Sequence, residues 1–314
     1  MYSTDVRLSY FITVNSPSKS IPYLMNISLQ KINLKEAIMP RKLFLTALFL
    51  GLFLPGVVVA GLFDDSNQVI ESLGTGEVNW SANVIRGVGS GAPNADAPNI
   101  AVARLGAERA AKLDAMRNIL ETVKGVRIDS QTTVMNFTTQ SDVINSQIAG
   151  FVKGARVVKT RYLSDGGVEV IIEAPISGGL ADTVYGNIGG LGTVSVPKTG
   201  NAVYTGLIID ARGTGARPAM SPKIIDEEGK EVYGSAYVSR DFAVKQGIVG
   251  YARDVNAARQ NERVAANPIV VKGLKTTGAG SSDIVISNSD AAGLRDASKN
   301  MSFLEQTRVI IIVD

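Results

Sequence analysis

The sequence predicts an α+β protein built from two small sheet-based regions, and three observations carry that prediction. A long stretch of helical apolar spacing, Ile100 to Val123, stands between an alternating strand and a strong hairpin signal. A glycine-rich break over 177–202 follows this strand-helix-hairpin block. Beyond the break, 203–314 alternates short apolar strands with short helices.

In chain order, Asn79 to Val88 alternates, with Trp80, Ala82, Val84 and Val88 on one side, as a half-buried strand does. Gly87, Gly89, Gly91 and Pro93 are expected to end it. In the helix that follows, Ala103, Ala107, Ala110, Leu113, Met116, Leu120 and Val123 recur at three- and four-residue spacing, which predicts that Leu113, Met116 and Leu120 face the sheet. Arg109 and Arg117 fall on the outer side, and Gly125 is the expected stop. Arg127 to Phe137 is threonine-rich and reads as a strand, and Ser141 to Phe151 as a short helix capped by Ser141 or Asp142. Arg156–Leu163 and Val168–Ile176 flank Ser164-Asp165-Gly166-Gly167, which predicts an antiparallel hairpin.

Ser177 to Asn201 carries little charge and reads as a linker or surface loop. After it, Val203–Ala211 reads as a strand and Lys223–Tyr233 as a hairpin turning at Asp226-Glu227-Glu228-Gly229. Asp241–Gln246, Asp254–Arg263 and Asp290–Asn300 read as helices. Ile269–Leu274, Asp283–Ser287 and Thr307–Val313 read as strands, the last one buried.

Residues 39–60 read as a secretory signal peptide. Arg41 and Lys42 form a basic head, Leu43 to Leu54 an apolar core, and Val58-Val59-Ala60 a cleavage site before Gly61. An apolar core of about twelve residues is short of the roughly twenty that span a bilayer, so no transmembrane helix is expected after cleavage. Residues 1–38 fit no export signal and read as an upstream extension from a start codon placed too early, with Met39 the initiator. Six of the 32 Lys and Arg but only two of the 29 Asp and Glu lie in residues 1–60, so the remainder holds 26 basic and 27 acidic side chains. A net of −1 gives no reason to expect a nucleic-acid partner. The chain has no cysteine and no histidine. It therefore has no disulfide, no lipobox thiol for acylation, and neither the commonest general base near neutral pH nor the commonest transition-metal ligand.

The candidate chemistry is sparse. Gly87-Val88-Gly89-Ser90-Gly91 follows a strand but leads into prolines instead of a helix, so it lacks a phosphate cradle. Gly213-Thr214-Gly215 follows a strand too, and Arg212 and Arg217 beside it could hold an anion, although no Gly-Lys-Ser/Thr completes a P-loop. The alternative is a tight turn with two surface arginines. Asp210 and Arg212 share a strand face and read as an ion pair. Asp226-Glu227-Glu228 could bind calcium, but neighbours in a tight turn do not converge on one ion, and a solvated hairpin tip is the expectation. Ser298-Lys299 and Ser221-Pro222-Lys223 do not form Ser-x-x-Lys. Trp80 reads as core before it reads as a ligand platform. No catalytic, cofactor or metal residue is expected, and Arg109, Arg117, Arg212 and Arg217 are the candidate interaction residues.

The stretch 79–176 carries Trp80-Ser81-Ala82, Gly87-Val88-Gly89, Ala107-Glu108-Arg109-Ala110-Ala111 and Arg117-Asn118-Ile119-Leu120. It continues with Val123-Lys124-Gly125-Val126, Val152-Lys153-Gly154-Ala155 and Asp165-Gly166-Gly167-Val168-Glu169-Val170. With these motifs it resembles the LPP-type outer-membrane lipoprotein family, which includes the flagellar lipoprotein P group and is related to the N-terminal domain of flagellar assembly protein T. The resemblance covers about a third of the chain and sets the first region at 61–176. It implies a small α+β module that builds envelope assemblies, flagellum-associated rings among them. The family's lipobox cysteine has no counterpart here.

Together these readings lead to the expectation of an exported, non-catalytic structural or assembly protein of the bacterial periplasm or outer membrane. It would self-associate or dock to envelope or flagellar proteins. A glycan- or polymer-binding module and a hydrolase using carboxylates or a Ser/Lys pair are the alternatives.

Overall fold

The chain's longest helix lies flat on a row of glycines, and that contact organises the first half of the molecule. The computed structural model describes residues 67–193, 204–297 and 302–314. The upstream extension, the signal peptide and the end of the glycine-rich break lie outside the described residues, all of which belong to one compact unit, Asp64–Asp314. Among them no helix is long and apolar enough to cross a membrane.

The first sheet is antiparallel and holds β1 (Ile70–Leu73), β2 (Gly76–Asn79), β3 (Val84–Gly91), β4 (Arg156–Tyr162) and β5 (Val168–Pro175) in the order β1-β2-β3-β5-β4. Helix α1 (Ile100–Gly125) crosses β3. Its N-cap is Asn99, whose side chain accepts from the Val102 amide.

The buried row on α1 is Ala107, Ala111, Ala115, Ile119, Thr122 and Val123. Four residues along a helix advance about 6 Å and two along a strand about 6.8 Å, so this row keeps step with Gly87, Gly89 and Gly91. A Cβ on Gly89 would lie 2.1 Å from the Ala115 nitrogen, and one on Gly91 2.0 Å from the Ala107 oxygen. The glycines therefore continue the strand that they were expected to end. The helix register is corrected too. Leu113 is 64% exposed, Ala110 is exposed, and Met116 and Leu120 are only partly buried, because the sheet admits alanines where leucines would not fit.

Two further expectations fail locally. Trp80 to Asn83 forms the turn between β2 and β3, held by the Asn79 side chain accepting from the Ala82 amide at 2.8 Å. Arg127 to Phe137 contributes a single bridge, Arg127 to Thr133, before α2 (Val134–Gln140), which Thr133 and Asn136 start with a capping box. Helix α3 (Asp142–Lys153) begins at Ser141 as expected.

Ser177 to Asn187 departs from the linker expectation. A tight turn over 176–180, with Gly178 at φ +77°, reverses the chain into α4 (Ala181–Asn187), which buries Leu180, Ala181, Val184 and Tyr185.

The second sheet takes the order β8-β7-β11-β10-β6-β12-β9. Strands β9 (Gly250–Ala252), β12 (Val309–Ile312), β6 (Gly206–Asp210) and β10 (Pro268–Thr277) are mutually parallel. Strand β11 (Asp283–Ile286) is antiparallel to β10 and parallel to β7 (Ile224–Ile225), and β8 (Glu231–Tyr233) closes a hairpin with β7.

The remaining helices are α5 (Arg240–Gln246), α6 (Val255–Arg259), α7 (Asn288–Ala297) and α8 (Ser302–Glu305). Leu207, Ile209, Val309 and Ile311 enter the main core, while Ile208, Ile310 and Ile312 pack with Ala258 and Val264 on the other face. A parallel sheet buried on both faces needs continuous apolar strands, which β6 and β12 supply. The class is α+β as predicted, an antiparallel sheet under a helix followed by a mixed sheet, and the main core runs through both.

Candidate functional site

The four candidate arginines do not converge. Arg109 and Arg117 sit on the outer face of α1, opposite the alanine row, and alternate there with the exposed Leu105 and Leu113. Arg117 reaches Asp114 at 3.5 Å, and Arg109 has no carboxylate partner among the described residues.

Arg212 folds back on Asp210, Nε to Oδ1 at 2.8 Å and Nη2 to Oδ2 at 2.7 Å, and holds that carboxyl below the usual aspartate range. The Gly213 amide is taken by Asp314. The expected ion pair is therefore present. Arg217 goes elsewhere and donates to Glu71 in β1 at 2.9 Å. Each cation thus faces its own carboxylate, and the two do not form a shared anion cradle in this structure.

Glu71 is a centre that the sequence did not reveal. Its carboxylate accepts from Arg217, from the buried Arg127 and from the Trp80 indole at 3.2 Å. Burial pushes the Glu71 carboxyl up, but hydrogen bonds and charge from Arg127, with Arg217 and Trp80, outweigh this and leave it below the ordinary glutamate range. Arg127 Nε also donates to the Pro218 carbonyl at 2.9 Å. Around this knot Trp80 meets Tyr251 edge-on at 5.7 Å, and the Tyr251 hydroxyl donates to the Ala219 carbonyl and accepts from its amide. The knot ties β1 and the segment just after α1 to the loop before β7 and, through Tyr251, to β9.

Asp226 is also corrected. It is buried, pairs with Arg295 on α7 at 2.7 Å and accepts from the Glu228 and Lys230 amides, while Glu227, Glu228 and Gly229 form the solvent-exposed tip that was expected. No group of three or more acidic side chains among the described residues gathers where a metal could sit.

Two surfaces remain. One is the flank formed by α1 and β4. Tyr162 donates to Glu108 at 3.3 Å and lies under the Arg104 guanidinium at 5.4 Å, so strand and helix form one continuous face. β4 and its turn expose Val157, Val158, Tyr162 and Leu163, and α1 exposes Ile100 and Val102 as well as Leu105 and Leu113 on its outer face. The other is a cleft of about 450 Å³ where the glycine-rich stretch begins, lined by Ser177, Gly178, Asp182, Arg240, Val244 and Lys245.

Residues 206–314 match the family model of Treponema pallidum Tp0624, second domain. The match takes in about a third of the chain, from the first residue of β6 to Asp314, and so coincides with the second sheet and its helices. A comparison with curated proteins finds no match. The Tp0624-like part holds Arg212 and Arg217, whereas the α1 and β4 flank lies wholly outside it.

Proposed function

We propose that the chain is an exported, non-catalytic structural or assembly protein of the bacterial cell envelope, working in the periplasm or at the outer membrane. The observation behind this reading is that α1 on one hand and β4 with its turn on the other each expose four large apolar side chains. Single surface apolar residues need no explanation, but four on each of two neighbouring elements, interspersed on α1 with Arg104, Arg109 and Arg117, are what a contact surface looks like. The leader at 39–60 supports export, and the LPP-type resemblance over 79–176 falls on the part of the chain that carries the flank. In that resemblance the partners are envelope or flagellum-associated proteins, or further copies of the chain.

The second reading, a module for a glycan or other envelope polymer, draws on the cleft beside Ser177 and Gly178, which Lys245 and the Arg240–Asp182 ion pair line. The hydrolase alternative has no such observation behind it. Size-exclusion chromatography with light scattering on residues 61–314 separates the readings. Self-association or a stable complex with an envelope protein, weakened by Leu113→Asp, is the expected result. A strict monomer that captures no envelope protein and binds soluble glycan through Lys245 would replace the first reading with the second.

A further inference from the structure

β4 ends the first sheet, and among the described residues it pairs only with β5. The Leu163 amide donates to the Gly167 carbonyl at 2.8 Å. Antiparallel alternation from that bond turns the backbones of Arg161 and Lys159 towards β5, and those of Thr160 and Tyr162 outward. A row of outward amides and carbonyls is a template for another strand.

The side chains along this edge are sorted by face. Arg156, Lys159 and Arg161 stand in register with Glu173, Ile171 and Glu169 on one face, and Val157, Thr160 and Tyr162 with Ile172, Val170 and Val168 on the other. Arg156 bonds Glu173 and Arg161 bonds Glu169, while Lys159 is exposed and has no carboxylate partner among the described residues. Glu173 also serves Arg86, which reaches Glu77 as well, so Lys159 is the cation that gives this row its excess charge. The opposite row is apolar and open, with Val157 45% and Tyr162 55% exposed.

We propose that β4 is a docking edge for an extended partner segment that carries carboxylates on alternate residues with apolar side chains between them. This rests on the assembly reading and names its contact surface. Side chains directly across an added strand stand about 5 Å apart, so the carboxylates meet Arg156, Lys159 and Arg161 while the apolar residues cover Val157 and Tyr162. An anionic lipid surface would meet the same cations but leave the outward amides and carbonyls of β4 without partners.

The test uses the protein with a labelled peptide of four Glu-Val repeats. The comparison probes are Lys-Val repeats, a Glu-Glu-Val-Val peptide of the same composition, and phosphatidylglycerol vesicles. Saturable binding of Glu-Val alone is expected, weakened at least tenfold by Lys159→Glu. Thr160→Pro should abolish binding, because it removes an outward amide without touching the ladder to β5. If that variant does not fold, the Lys159→Glu charge swap decides. Equal binding of the two glutamate peptides, undiminished binding by Lys159→Glu, or binding to vesicles but not to peptide would overturn the proposal. If complexes seen by light scattering survive Lys159→Glu and no peptide binds, β4 is not the edge used and the assembly reading stands. A monomer without partners that still binds Glu-Val supports the edge and counts against assembly.

Discussion

At the scale of single residues, Glu71 carries a concentrated electrostatic load, since one carboxylate neutralises the buried Arg127, pairs with Arg217 and accepts from Trp80. Glu71→Gln should therefore cost about 2–3 kcal/mol at neutral pH, because it strands a buried guanidinium. Arg217→Ala, at a side chain 55% exposed, should cost less than about 1 kcal/mol. The Glu71 carboxyl is held below its ordinary value, so its contribution is complete above the unfolded pKa and disappears as pH falls through the lower folded one. Thermal melts should show wild type and Glu71→Gln furthest apart near neutral pH and converging from about pH 4.5 downward; a gap that stays constant on acidification would contradict this. None of this was legible in the chain. Arg217 and Glu71 lie 146 positions apart, and spacing rules reach only across a turn of helix or a strand pair, which is why Asp210 with Arg212 could be read and Arg217 could not.

At the scale of elements, the sequence located α1 within two residues of its observed ends but turned it the wrong way. Hydrophobic periodicity weights leucine above alanine, whereas the deciding quantity here is size, because a helix resting on Gly89 and Gly91 can bury only small side chains there, the larger Ile119 fitting over Gly87. Gly89→Ala should cost more than about 2 kcal/mol, since the new Cβ meets helix backbone that cannot move independently. Gly106→Ala, where a Cβ meets nothing within 4 Å, should stabilise by about 0.5–1 kcal/mol. Leu113→Asp should change stability by less than about 0.5 kcal/mol, while Ile119→Asp, fully buried, should unfold the first sheet. Urea titrations of the four variants check both the contact and the register, and a destabilising Leu113→Asp would refute the register. The second sheet was easier to read because β6 and β12 are short, continuous apolar runs rich in β-branched residues, the pattern of strands buried on both faces.

At the scale of the molecule, glycine content at 177–201 suggested a joint between independent halves, but composition overlooks spacing. Leu180 with Val184 and Ala181 with Tyr185 recur four apart, and all four are buried in the main core. The Tyr185 hydroxyl donates to the Met220 carbonyl at 2.9 Å, and the Ser81 hydroxyl to the Tyr251 carbonyl at 2.8 Å, so both sheets hold each other's loops. Trp80, the chain's only tryptophan, sits at this junction, 4% exposed and edge-on to Tyr251. Its fluorescence therefore reports on the join, while far-UV circular dichroism reports on all helices and strands. If the halves depend on one another, guanidinium unfolding should give one transition with coincident midpoints for the two signals. Tyr251→Ala should lower both midpoints together, by about 3–5 kcal/mol of stability, because it opens a cavity against Trp80 and frees both polar groups of Ala219. A tryptophan transition that precedes the loss of dichroism would show that the sheets separate before they unfold, and the junction would then be a hinge between two domains.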